Sequence, residues 1–228
     1  MPDKSQNPLK SLYNEAYVAS FELTQSPLRI SGLINYMELD CSQDVVDFAC
    51  GSGMLTPHIA PLVKSYTGVD FSEPFIRTAN QKKETLSVTN VEFVCSEITD
   101  FCRERKNRYN TGFALDFAEH VYDKEWLEIL RSIRTSIKSG GTLYLHTPNG
   151  DFIVEKMKKR NFLLKQIHDH VAVRTPGENI RLLEQAGYQN IHIKFIPHYC
   201  ILKILHPLSC LPFIGKYFKA RLFIEATA

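Results

Sequence analysis

Apolar residues near the N-terminus recur at helical spacing. Leu12, Ala16, Ala19 and Leu23 predict one helix within residues 11–38, and Leu28 to Met37 predicts a second after Pro27. The period then changes. Val45-Val46-Asp47-Phe48-Ala49 is a short apolar run before a glycine-rich turn, the pattern of a buried strand. Met54 to Val63 follows as a helix, with Pro57 suited to its first turn and Pro61 against it.

Strand and helix then alternate. Strands are predicted at Tyr66–Phe71, Val91–Cys95, Phe113–Phe117 and Thr142–Thr147. Helices are predicted at Glu73–Thr85, Ile98–Lys106 and Lys124–Ile137, with a turn at Ser139-Gly140-Gly141. Such alternation implies an α/β, doubly wound, mainly parallel sheet with helices on both faces. Beyond Pro148 the pattern loosens: residues 149–176 are polar, basic and irregular, with a helix around Phe152 to Lys159. Gly177 to Gly187 reads as a helix, and Asn190–Pro197 and Ala220–Ala226 as two final strands around an apolar stretch.

With 228 residues, one domain with appendages is expected: a helical cap at 1–40 and insertions at 149–176 and 199–219. A net charge of +2 gives no reason to expect nucleic acid as a partner. The six cysteines form no CxxC pair and no zinc-like cluster, so reduced thiols and a cytoplasmic location are expected. Met1 to Lys10 is polar and lacks the apolar core of a signal peptide. Tyr199 to Ile214 is the longest apolar stretch, but Lys203, His206, Pro207 and Pro212 interrupt it; it is too short to span a bilayer, though not to touch one.

The chemistry-bearing motif closes the first strand: Asp47-Phe48-Ala49-Cys50-Gly51-Ser52-Gly53. Its glycines allow a sharp turn and close approach of a ligand, and the helix after it offers N–H groups to an anion. Seventeen residues past Gly53, Gly68-Val69-Asp70 ends the second strand with a carboxylate able to accept from both ribose hydroxyls. Gly51 to Thr56 nearly matches the dinucleotide fingerprint GxGxxG, with threonine replacing the last glycine. Asp47 tips the choice of ligand. It would repel a pyrophosphate, but it suits the ammonium of a zwitterionic amino acid whose carboxylate faces the glycine loop. A strand-end cap is the plainer role for Asp47.

On these residues the chain resembles class I S-adenosylmethionine (SAM)-dependent methyltransferases, especially those acting on small molecules, quinones and lipids. Their first motif is commonly D-x-G-C-G-x-G; here it is DFACGSG, with Ala49 in place of the first glycine. GVD ending in Asp70 matches their ribose-binding acid. Ser96-Glu97-Ile98 stands where relatives place an acid and an apolar residue at adenine, and Phe71 is a candidate to flank that ring. Asp116 to Asp123 resembles their acid-x-x-Glu-His-Val stretch, Gly140-Gly141-Thr142-Leu143 the turn into their fifth strand, and Leu183 to Tyr188 the approach to their sixth. The resemblance covers about residues 40–198 and implies a seven-stranded sheet whose last strand inserts antiparallel. SAM is the implied cofactor, held by Tyr17, Asp47, Ala49, Cys50, Gly51, Gly53, Asp70, Phe71, Glu97, Ile98 and Asp116, with S-adenosylhomocysteine (SAH) as product.

Methyl transfer from a sulfonium chiefly requires alignment and exclusion of water, with a base where the acceptor is a hydroxyl or amine. His120 is the first candidate base, oriented by Glu119 or Asp116; packing on the cofactor is its plainer role. His146 is a second, at the end of the fifth predicted strand and facing the acceptor pocket; packing within the strand is its plainer role. A divalent metal on Asp116, Glu119 and His120 is a third, less favoured reading, and His168-Asp169-His170 has metal-like spacing in what reads as a solvated loop. Tyr13 and Tyr17 are candidates to close over SAM from the N-terminal helices, with a packed aromatic face as the alternative. The apolar residues of 199–219 with Lys203, Lys216 and Lys219, and the run Lys156 to Arg160, suit a greasy acceptor or peripheral contact with the inner face of an anionic membrane; a packed lid and a solvated helix face are the alternatives. Two other classes stay open: an NAD(P)-dependent oxidoreductase, and a non-catalytic partner protein of the same fold. Nothing in the sequence fixes the oligomeric state.

Overall fold

The computed structural model describes residues 14–24, 27–159, 171–198 and 201–228. Tyr13, Arg160 and His168-Asp169-His170 lie outside them. Two helices, α1 (Glu15–Thr24) and α2 (Pro27–Ile34), precede β1 (Asp44–Phe48), short α3 (Thr56–Ile59) and β2 (Ser65–Asp70). Then come α4 (Glu73–Leu86), β3 (Val91–Cys95), α5 (Ile98–Glu104), β4 (Tyr109–Leu115), α6 (Asp123–Ser136) and β5 (Ile137–Pro148). The chain finishes with α7 (Ile153–Lys159), α8 (Pro176–Ala186), β6 (Gln189–Ile196) and β7 (Arg221–Thr227).

The seven strands form one sheet in the order β3-β2-β1-β4-β5-β7-β6. β7 alone runs antiparallel, inserted between β5 and β6. The strand order reverses at β1 and β4, so the crevice where ligands bind open α/β sheets lies beyond their carboxyl ends.

Consecutive strand residues point to opposite faces, and the core divides accordingly. Val46, Ala114, Leu143, Leu145, Leu222 and Ile224 pack with Trp126, Leu130 and Leu182 from α6 and α8. Their neighbours Val45, Phe113, Tyr144 and Phe223 pack on the other face with Ile30 and Leu33 from α2 and Ile59 from α3. Both faces of the inner strands are therefore lined mainly by apolar side chains, which is why short stretches such as Val45-Val46 and Leu222-Phe223-Ile224 read as hydrophobic runs.

Three predicted elements change. The helix expected over Met54–Val63 is only the four residues of α3 followed by a 3₁₀ turn at Ala60–Leu62, because Pro57 and Pro61 remove two amide donors within one short segment. Ser139-Gly140-Gly141 is not a turn before the fifth strand. β5 already begins at Ile137 and runs through it; Gly140 at φ +78° and a register shift opposite Tyr109 and Thr111 make an irregularity inside the ladder. The Phe113–Phe117 strand instead spans Tyr109–Leu115, ending before Asp116, whose φ of +52° breaks the extended chain.

α8 starts at a reciprocal cap: the Thr175 hydroxyl accepts from the Glu178 amide, and the Glu178 carboxylate accepts from the Thr175 amide at 2.7 Å. Thr175→Ala is expected to cost about 1 kcal/mol. For a domain of this size a thermal melt should register a fall of roughly 2–4 °C.

Candidate functional site

The turn after β1 is built from left-handed residues: Ala49 at φ +58°, Gly51 at +53° and Gly53 at +71°. Ala49 carries its Cβ in a region that usually costs an L-residue about 1–2 kcal/mol. Gly53 could not carry one, since a Cβ there would lie 2.8 Å from the Phe93 ring. On Gly68 a Cβ would lie 2.6 Å from the same ring. Phe93 thus fills the space that two glycines leave beside the turn.

Asp70 ties the turn to the end of β2. One carboxylate oxygen accepts from the Gly51 amide at 3.0 Å and the other from the Ser72 amide at 2.8 Å. Ser72 in turn caps α4, its hydroxyl accepting from Phe75. Asp47 lies beneath the turn, 3% exposed, and accepts a 2.7 Å hydrogen bond from the Tyr66 hydroxyl. Among the described residues neither carboxylate is in an ion pair. Burial, helped by the nearby Asp70, raises the pKa of Asp47 to about 7. Burial, partly opposed by the two amides, raises that of Asp70 to about 6. A floor of two desolvated carboxylates beneath the turn suits a ligand with positive charge or hydroxyl donors, and opposes a diphosphate.

The remaining predicted cofactor residues surround this floor unevenly. Cys50 is buried, and burial drives its thiol pKa well up. Phe71 is part-exposed where the chain leaves β2. Glu97 is exposed at the start of α5, where its side chain makes no capping bond, while Ile98 is buried. Tyr17 meets the edge of Phe75, with centroids 6.2 Å apart, and the Phe75 ring is the neighbour a Gly51 Cβ would touch at 3.9 Å. Glu22 of α1 binds Lys82 at 2.6 Å and also accepts from Ser52 in the turn. These contacts seat α1 against the glycine turn and α4.

A second polar group gathers where β4, β5 and β7 meet. The same Asp116 oxygen lies 2.7 Å from the Arg221 guanidinium and 2.9 Å from His146 Nδ1. His146, expected to face the acceptor pocket, is instead fully buried beneath Asp116, because its register opposite Phe223 places it inside the sheet. Glu119 is 1% exposed and accepts from the Thr147 hydroxyl at 3.1 Å. Burial, reinforced by Asp116, raises its pKa well above the carboxylate range. His120, part-buried, ends the 3₁₀ turn Ala118–His120. Asp116, Glu119 and His120 do not converge; among the described residues no group of three His, Cys, Asp or Glu side chains is arranged to hold a metal.

Two arginines at this edge escaped the sequence reading. Buried Arg174 donates to Asp123 at 2.8 Å and to the carbonyls of Ala118 and Val121 at 2.6 and 2.5 Å, clamping the turn that carries Glu119 and His120. Arg221 opens β7. A signal for Arg221 was available: it is a cation directly before the apolar run Leu222-Phe223-Ile224.

Residues 23–193 match the family described as methyltransferase domain. The ubiquinone biosynthesis O-methyltransferase of Coxiella burnetii is 28% identical over 190 residues, covering 81% of this chain and 79% of that protein. Its namesake from Idiomarina loihiensis is 24% identical over 174 residues, 74% of this chain and 70% of that one. A solved SAM-dependent methyltransferase from Archaeoglobus fulgidus superposes with a TM-score of 0.69 at 16% identity, covering 94% of this chain and all of that one. With the fold and the carboxylate-floored crevice, these findings define a class I SAM-dependent methyltransferase. The chain belongs to the methyltransferase domain family. The oxidoreductase and non-catalytic readings are not favoured.

Two substitutions in the turn should diverge. Ala49→Gly relieves a left-handed Cβ and is expected to stabilise by about 1 kcal/mol. Gly53→Ala must displace Phe93 and should destabilise by about 1–3 kcal/mol. Paired denaturant titrations check both signs.

Proposed function

We propose that the chain methylates a hydroxyl oxygen of a small, lipid-like aromatic acceptor, with SAM held across the Asp47–Gly53 turn. The observation that carries the cofactor half of this reading is the pair of buried carboxylates, Asp47 and Asp70, that no cation neutralises among the described residues. Bound SAM supplies an activated methyl group, open to in-line displacement from its sulfonium. In this reading Asp47 holds the ammonium of the amino-acid part, and the amides of the Gly51–Gly53 turn face its carboxylate. Asp70, oriented by the Gly51 and Ser72 amides, accepts from the ribose hydroxyls. Phe71, Glu97 and Ile98 border the adenine, and Tyr17 covers the opening from α1.

The acceptor half rests on the names of the two relatives above and on the edge at which His120 stands. His120 takes the acceptor proton, and Arg174 fixes the turn that presents it. Asp116 borders the same crevice, positioned by Arg221 and His146. Glu119 keeps its proton at neutral pH and holds Thr147 rather than acting as a second base. The apolar 201–218 segment adjoins this edge and suits a greasy acceptor or a membrane contact.

The free protein holds Asp47 partly protonated near pH 7, and a bound ammonium favours its ionised form. SAM affinity should therefore rise with pH up to about 7 and level off above it. Between pH 7 and 6 the dissociation constant should weaken by up to about tenfold. Asp47→Asn should bind weakly and flatten the profile, and Asp70→Ala should lose the SAM-induced thermal shift. Calorimetric titration with SAM and SAH, with NAD as control, reads all three; an unchanged pH profile in Asp47→Asn would remove the ammonium assignment.

Turnover with prenylated catechols tests the acceptor. His120→Ala should lower kcat by about 10²–10⁴-fold and abolish the acidic limb of the pH–rate curve, leaving SAM binding intact. Full activity in that variant would eliminate His120 as base.

A further inference from the structure

We propose that the connection between β6 and β7 docks the protein on an anionic lipid bilayer, with Ile204, Leu208, Leu211, Phe213 and Ile214 entering the headgroup layer. As a route for acceptor delivery it rests on the lipid-like acceptor proposed above; as a binding event it stands separately.

The segment forms 3₁₀ helices at Ile201–Cys210 and Gly215–Phe218 around a tight turn. Leu211 donates to the Leu208 carbonyl, Ile214 to that of Pro212 and Gly215 to that of Leu211. A Cβ on Gly215 would lie 2.3 Å from the Ser209 carbonyl oxygen, so the turn closes on itself. At its tip Phe213 is 95% exposed, with Ile204 at 74% and Ile214 at 48%. Phe213 also holds φ +62°, a conformation disfavoured for a bulky L-residue. A folded turn that strains an aromatic residue in order to expose it is the form of an insertion wedge rather than of a packed lid.

Charge decides what meets the wedge. From Gln185 to Ile224 the sequence contains no Asp or Glu, while it contains Lys194, Lys203, Lys216, Lys219 and Arg221. Lys203 and Lys216 are exposed beside the apolar tip. Lys156 of α7, which also pairs with Asp151, lies 4.6 Å over the Tyr217 ring, and Lys216 lies 5.2 Å from the same ring. Isologous pairing of two copies across this patch would bring their cationic rims together, whereas anionic headgroups complement them. No helix among the described residues is long and apolar enough to cross a membrane, so the contact is peripheral.

The topology puts this wedge at the site's edge. Antiparallel β7 begins with Arg221 opposite Pro148, where β5 ends, and Arg221 reaches Asp116 at 2.7 Å.

Co-sedimentation with vesicles tests the proposal. Wild type should pellet with an equal mixture of phosphatidylcholine and phosphatidylglycerol, less with phosphatidylcholine alone, and less as salt rises. The Ile204→Ser/Phe213→Ser double variant should partition at least about tenfold less while keeping its SAM-induced thermal shift. Trp126 is the chain's one tryptophan and is 1% exposed, so a Phe213→Trp variant adds an indole whose emission should move to the blue on anionic vesicles. Equal pelleting of wild type and the double variant, or no pelleting with anionic vesicles, overturns the proposal. So does a wild-type dimer in sedimentation velocity that the double variant abolishes while vesicles go unbound, since a second copy then covers the patch. Vesicle binding without any SAM-induced thermal shift would sink the methyl-transfer reading and leave this one intact.

Discussion

The site depends on keeping carboxylates where water cannot reach them. Asp70 is held at the end of β2 by two amides, one from the glycine turn and one from the start of α4. Those two bonds fix the turn, the strand end and the helix start relative to one another. They do so without neutralising the charge, because an amide dipole stabilises an anion only in part. Asp47, with one tyrosine hydroxyl, is in a similar position. The ligand-free protein therefore holds electrostatic energy that a complementary cation would release. A purely structural carboxylate would more usually sit at the surface or opposite an arginine.

That contrast appears within the molecule. Asp116 follows the end of β4, at a left-handed position, yet Arg221 pairs with it directly. One half of the crevice is thus left electrostatically unsatisfied and the other is internally compensated. The unsatisfied half suits a charged, conformationally mobile cofactor that must be captured. In the function proposed above, the compensated half receives an apolar acceptor, to which it offers shape and one imidazole edge rather than a strong field.

The fold was largely legible because its inner strands are buried on both faces and separated by helices with one apolar stripe. The glycine turn was legible because left-handed backbone demands particular residues, and Ala49 only partly disguises it. What stayed hidden depends on distant residues meeting. Asp116 and Arg221 are 105 positions apart, and Arg174 reaches Ala118 across 56. No local period encodes such pairs. His146 misled for a related reason: its place at the end of a strand predicted an accessible imidazole. The insertion of β7 beside β5 buries it, and that insertion is a property of the whole sheet.

Antiparallel β7 also gives the exposed apolar segment its meaning. Because β7 must start at the carboxyl edge of the parallel strands, the chain from β6 has to cross that edge first. Any residues in the crossing lie over the acceptor side whatever their sequence. A crossing meant only to connect two strands needs few residues and would favour polar ones. This one spends its length on apolar side chains turned outward and excludes acidic residues altogether. In the docking proposed here, topology dictates where the segment lies and composition dictates what it can touch, an apolar tip and a cationic rim calling for a surface that is both apolar and negatively charged.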